Sequence, residues 1–313
     1  MSTTTEREPE AAPPTSSGDR IFAGLSKGAG LTILAALAAV FVFLAVEGIP
    51  GVNQEPATYA PLDAFFPYVA RLLYGTVFAA IIALIIAVPF ALAIALFISH
   101  YAPRAIATPM AFVIDLLAAV PSVVFGLWGA RTLAGELAPA LSWLEDNLGF
   151  LPFFSGPASV TGRTVLTAGL VLAIMILPII TAICREIFKQ TPRLHEEAAL
   201  ALGATRWEMI RYAVFPYARS GIVSAVMLGL GRALGETMAV AMVLSATPVF
   251  TLNMISNTNP ATIASNIASS FAEATPAKLS ALIATGLVLF AFTFAVNFAA
   301  RAIVARSERK FNR

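Results

Sequence analysis

The chain has 313 residues, of which 58% are apolar and 12% charged, with a formal net charge of +2 and a mean hydropathy of +0.81. An ordinary soluble domain carries about a quarter of its residues as charges. These values argue against a disordered protein and a typical soluble enzyme, and indicate a chain that crosses a membrane several times. The balanced charge leaves no electrostatic footprint for nucleic acid. A single cysteine, Cys184, allows no intrachain disulfide, and His100 and His195 lie far apart with no cysteine beside them, which is not a metal-ligand pattern.

Residues 1–20 are rich in Thr, Ser, Pro, Ala and Glu and lack an apolar core. Such a composition cannot offset its ordering entropy, and a disordered tail is expected there, with the membrane domain over 21–313. The first apolar run, Gly28 to Val46, ends at Glu47-Gly48-Ile49-Pro50. It is too long for a typical signal core and has no small-x-small cleavage site, so it is read as a retained span. Windows almost free of charge follow at 72–99, at 105–130 with Asp115 inside, at 164–184, at 218–247 with Arg219, Arg232 and Glu236 inside, and at 279–300. With a rise of about 1.5 Å per residue and hydrocarbon about 30 Å thick, each can cross as a helix. The dyad alternation of barrel strands is absent. The expected fold is an all-α membrane protein with six transmembrane helices over about 28–47, 72–99, 105–130, 164–184, 218–247 and 279–300.

The basic residues set the expected orientation. With the N-terminus in the cytoplasm, fifteen lysines and arginines fall in the two tails and the 2–3 and 4–5 loops. Only Arg71, Arg131, Arg163 and Lys278 fall outside. The positive-inside rule therefore places both termini in the cytoplasm. Segments 48–70, 131–162 and 248–277 become outer loops. The second carries Trp143, Phe150, Phe153 and Phe154 and reads as an aromatic interfacial segment, and the third has room for a short helix. Pro89, Pro121 and Pro178 are expected to kink their helices.

The inner loop 185–217 carries the most information. Residues 193–202 are strong helix formers with Glu196 and Glu197 near the start, where the helix dipole favours acids. Gly203 can supply a left-handed cap, and a second helical piece runs past Pro216 into the next span. Physically this is a surface helical hairpin between two spans. Its residues also resemble the EAA motif of bacterial ABC importer permeases: Glu197-Ala198-Ala199, then Gly203, then Ala213-Val214-Phe215-Pro216 where the family has I-x-L-P. In that family the motif helix docks in a cleft of the ATPase subunit. The resemblance implies a type I ABC importer permease fold, with Glu197, Ala198, Ala199 and Gly203 as the coupling residues.

Two further stretches narrow the resemblance. Leu228-Gly229-Leu230-Gly231-Arg232-Ala233-Leu234-Gly235-Glu236-Thr237-Met238-Ala239-Val240 and Leu116-Leu117-Ala118-Ala119-Val120-Pro121-Ser122-Val123-Val124-Phe125-Gly126-Leu127-Trp128-Gly129 resemble the PstC-type permeases of high-affinity phosphate ABC importers. By that resemblance the substrate is phosphate.

The residues themselves are consistent with an oxyanion pathway. On a continuous helix Arg232 and Glu236, four apart, share a face and can pair. Entering near Ala218, Arg232 lies roughly 21 Å along that helix, near mid-membrane. An arginine there costs at least about 2.5–3.5 kcal/mol, which a surface pair worth a few tenths does not offset, so it should face a cavity or a partner. A guanidinium fork matches two phosphate oxygens. Glu236 is expected to hold the arginine and compete with substrate. A charge-neutral structural pair is the alternative, compatible with the first. Gly231 and Gly235 form G-x-x-x-G, suited to close helix packing. Asp115 either lines the pathway or bonds a neighbouring helix.

The chain has no G-x-x-x-x-G-K-[ST] loop and no nucleophile elbow, so it is expected not to be an enzyme and to hold no cofactor. The resemblance implies three kinds of partner: a second permease (PstA type), an ATPase dimer (PstB type) that carries ATP and Mg, and an extracytoplasmic phosphate-binding protein (PstS type). Two other readings stay open. One is a permease for another oxyanion, molybdate or sulfate. The other is an autonomous secondary transporter, which would leave the coupling motif unexplained and often shows inverted repeats, of which none is apparent.

Overall fold

The computed structural model describes residues 17–244, 246–247 and 249–311. Its helices are α1 (Ser17–Gly48), α2 (Phe65–Leu96), α3 (Arg104–Ala118), α4 (Ser122–Leu148), α5 (Val165–Lys189), α6 (Arg193–Ala201), α7 (Arg206–Leu234), α8 (Met238–Val243), α9 (Ile263–Ser270) and α10 (Pro276–Phe311). Wide turns continue α2 through Phe97–Tyr101 and interrupt α4 at Gly129–Leu133 and α7 at Ile210–Val214. One short parallel pair, β1 (Ala246–Thr247) with β2 (Asn259–Pro260), aligns Ala246 with Asn259.

Among the described residues, five helices are long and apolar enough to cross a membrane, and the bent pair α3–α4 makes a sixth span when counted as one. Helix α1 shows why a bilayer is needed. Leu31, Leu34, Phe41 and Phe43 are all exposed, and a helix that is apolar all round is stable only in lipid or a core. It starts at Ser17, so residues 17–20 of the expected tail are helical, and the rest of that tail lies outside the described residues.

The centre of the bundle is α2 against α5. Ala79, Ala83, Ala87, Ala91 and Ala95 recur every four residues along α2, and each is at most 1% exposed. That stripe brings the backbone of α2 close to Leu172, Ile176, Ile180 and Cys184 on α5. Lipid tails give helices no hydrophobic reason to associate, so small residues that permit close van der Waals packing supply it. Helix α7 covers another side of α5 with Val214, Ala218 and Ala225.

Two expected spans differ from the structure. The third is not one helix over 105–130: α3 ends at Ala118, and α4 leaves at 89° and continues to Leu148. Pro121 cannot donate to the helix and steers Val120 away from helical geometry, which fixes the break. Much of the expected 131–162 loop is therefore helix. Pro89 and Pro178, in contrast, lie inside helices that continue past them. The fifth expected span, 218–247, stops being one helix at Leu234.

At the Val165 end of α5, segment 249–262 closes the bundle. The Asn259 side chain accepts from the Val165 amide at 2.8 Å and donates to the Arg163 carbonyl at 2.9 Å. Asn253 donates to Gly156 O at 3.0 Å, and Thr76 accepts from the Ile263 amide at 2.9 Å. These side chains satisfy backbone groups that would be costly to leave unpaired in a buried loop. The opposite end of α5 carries α6.

Candidate functional site: an arginine cavity and a helical hairpin

Helix α6 projects from the bundle. Glu197 and Ala198 are exposed, and Ala199 packs against the core. Leu194 and Leu202 are 73% and 90% exposed, which leaves an apolar edge that no described residue covers. Gly203 ends the helix at φ +84°, a conformation open to glycine at little cost. The Ala204 amide then reaches Ala199 O at 3.2 Å and the Gly203 amide Leu200 O at 3.0 Å. These two bonds form a Schellman cap. Thr205 and Glu208 cap α7 reciprocally, the Thr205 amide donating to Glu208 Oε2 at 2.8 Å. The hairpin is thus stiff at its tip.

Its base is tied to the spans. His100 Nε2 lies 3.5 Å from Glu196 Oε1, linking the end of α2 to α6. The His100 ring stands edge-on to Phe188, Phe188 to Phe215, and Phe215 to Trp207. A push on α6 has a packed route into α2, α5 and α7.

Helix α7 breaks at residues 235–237, where the second motif lies. Glu236 is buried, and its Oε1 accepts from the Ala239 amide at 3.1 Å, capping the start of α8. The expected i,i+4 pair does not form: Arg232 is in the last turn of α7, Glu236 lies beyond its end, and no ion pair joins them. The helix ends there because Gly231 and Gly235 contribute little to holding it, and a carboxylate bonded to the Ala239 amide in the first turn of α8 favours a new start.

Arg232 instead lines a cavity of 820 Å³ between α5, α7 and α10. Arg301, Asn297, Ser224 and Gly231 line it too, and among the described residues no carboxylate does. Two guanidiniums without a counter-ion make an anion-attracting space. Gly231 has open space around its Cβ position and does not serve helix packing as its G-x-x-x-G spacing suggests. Gly229 does: a Cβ there would lie 2.7 Å from Ile180 Cδ1 on α5.

Asp115 lies in a different place. Its Oδ2 is 3.4 Å from Arg185 Nη2, so it bonds the neighbouring helix. It lines a second cavity near the base of α6 with Arg104, Arg185, Lys189 and Arg193, not the one holding Arg232. Arg301, Asn297 and Arg185 were not legible as site residues. Arg301 and Arg185 read in sequence only as the charges that end a span.

Residues 87–309 match the model of the family described as "Binding-protein-dependent transport system inner membrane component". The chain belongs to this family. Asp115, Glu197, Gly203, Arg232, Glu236 and Arg301 all lie within the matched region, whereas α1 precedes it. The transport component is 46% identical over 302 residues to the phosphate transport system permease protein PstC 2 of Mycobacterium tuberculosis, covering 93% of each chain. It is 42% identical over 273 residues to the PstC of Mycobacterium leprae, covering 84% of this chain and 85% of that one. Among solved structures, a bacterial ABC transporter involved in import of the acidic polysaccharide alginate aligns over 92% of this chain and 99% of that chain, with a TM-score of 0.49 and 18% identity. The family and the long apolar helices make the component a multi-pass protein of the inner membrane.

Proposed function

We propose that the chain is the membrane-spanning permease subunit of an ATP-driven importer that moves inorganic phosphate into the cytoplasm. The observation that carries this reading is the Arg232–Arg301 cavity, lined without a carboxylate. Its relatives are phosphate transport system permeases, which gives the anion its identity. Each guanidinium presents a planar fork that bonds two oxygens of a phosphate at once, and the surrounding apolar helices strengthen that attraction over its value in water. Arg232 is the anion contact. Glu236 acts through position: it caps α8, keeps the break in α7 and leaves Arg232 free of a competing carboxylate.

In this reading both termini and α6 face the cytoplasm. The exposed Leu194–Leu202 edge and Glu197 enter a cleft of a separate ATPase, which binds ATP and Mg. A second permease completes the membrane pathway, and an extracytoplasmic protein delivers phosphate. Closure of the ATPase would move α6, and the His100–Glu196 and Phe188–Phe215 contacts would carry that movement into the spans.

The test is uptake of labelled phosphate, sulfate and molybdate into vesicles holding the complete transporter. ATP-dependent phosphate uptake in preference to the other two is expected. Preference for sulfate or molybdate overturns the substrate, and uptake without ATP overturns the importer.

A further inference from the structure

A second polar cavity, of 680 Å³, opens at the base of α6. Arg104, Arg185, Lys189 and Arg193 line it, with Asp115 as its one lining carboxylate. Arg185 is only 8% exposed. Its Nε bonds Glu186 at 2.9 Å and its Nη2 reaches Asp115 at 3.4 Å, but among the described residues none accepts from its buried Nη1. Glu186 also takes Lys189 at 3.2 Å. Four cations thus meet two carboxylates, and a buried guanidinium retains an unused donor. Such a donor is costly unless something accepts from it. Helix α3 also begins at Arg104, so its positive end adds to the same field.

We propose that this cavity binds a phosphate group, held by the side chains of Arg104, Arg185, Lys189 and Arg193. The group reaches it either as the headgroup of an anionic lipid or as free inorganic phosphate. Four cationic donors at the edge of an apolar bundle suit a multiply charged oxyanion, and a guanidinium fork bonds two of its oxygens. The bound group bridges α3, α5 and the first residue of α6, so it steadies the helix that projects from the bundle. The site rests on this cavity alone and does not depend on which anion passes Arg232.

The experiment uses the full-length chain in its assembled transporter, placed in nanodiscs. One arm compares phosphatidylcholine discs with discs of equal phosphatidylcholine and phosphatidylglycerol. The other titrates inorganic phosphate into phosphatidylcholine discs. Amide exchange over residues 193–201 is read in both arms, so a loss of transport through the Arg232 cavity leaves the readout intact. Slower exchange is expected in at least one arm. Lys189→Ala with Arg193→Ala should weaken the apparent affinity at least about tenfold, since each charge-assisted bond is worth roughly that much. Asp115→Asn, which removes the competing carboxylate, should tighten it. Protection by phosphatidylglycerol alone assigns a headgroup, protection by phosphate alone assigns the free anion, and protection in both assigns either source to the same cavity. Equal exchange in all wild-type conditions, or protection that neither variant changes, overturns the proposal.

Discussion

Glu236 accepts the Ala239 amide at 3.1 Å, while Arg232, one turn earlier in sequence, lines the cavity it shares with Arg301. The two charges serve different places: the acid caps α8, and the base lines the cavity. Residues that would be partners on an unbroken helix are separated because the helix stops between them.

This division of labour predicts an asymmetric mutant series. Glu236→Ala removes the acceptor that starts α8 and should cost about 1 kcal/mol, as lost caps do. Glu236→Gln keeps an amide oxygen at the same place and should retain most of that stability. Thermal unfolding of the assembled transporter measures both. Equal losses for Gln and Ala would show that the charge, not the cap, matters.

The Schellman cap at Gly203 makes the hairpin tip sensitive to one methyl group. Gly203→Ala forces a side chain into φ +84° and should cost about 1–2 kcal/mol, although the Cβ would meet open space. Gly203→Asn, which tolerates that conformation better, should cost less. Amide exchange over α6 and stimulated ATP hydrolysis are the readouts. An Ala variant with unchanged exchange would remove the cap from the account.

Glu197→Lys tests the exposed face of α6. Among the described residues Glu197 has no hydrogen bond or ion pair and it is exposed, so folding should be little affected. If Glu197 enters an ATPase cleft as proposed, a reversed charge there should abolish stimulated ATP hydrolysis. Normal phosphate uptake by this variant would remove the coupling assignment.

Two neighbouring glycines separate packing from passage. Gly229→Leu drives a side chain into Ile180 of α5 and should destabilise by about 1–3 kcal/mol. Gly231→Leu has room to fold, but its side chain fills the Arg232 cavity, so uptake should fall while stability holds. Unfolding midpoints and uptake, measured on the same preparations, should move in opposite patterns for the two variants. Full uptake by folded Gly231→Leu would mean that phosphate does not use this cavity.

The apolar windows made the spans legible, because a bilayer demands long runs whatever their neighbours. Gly203 was legible as a cap because few other residues adopt its conformation. The breaks after Ala118 and Leu234 were not legible. Hydropathy is blind to direction, and Pro121 reads the same in a kink as in a right-angle bend. The Arg232–Glu236 spacing pointed to a pair only on the premise of an unbroken helix. Arg301 and Arg185 could not be found from sequence, since a cavity between distant helices has no local pattern.

The most direct measurement is ATP-driven phosphate uptake by Arg232→Ala and Arg232→Lys, normalised to assembled transporter in vesicles. Arg232→Ala should be inactive at normal assembly. Arg232→Lys keeps the charge but loses the fork, and should fall sharply as well. Full uptake by assembled Arg232→Ala would contradict the account, and the phosphate pathway would then run through other groups.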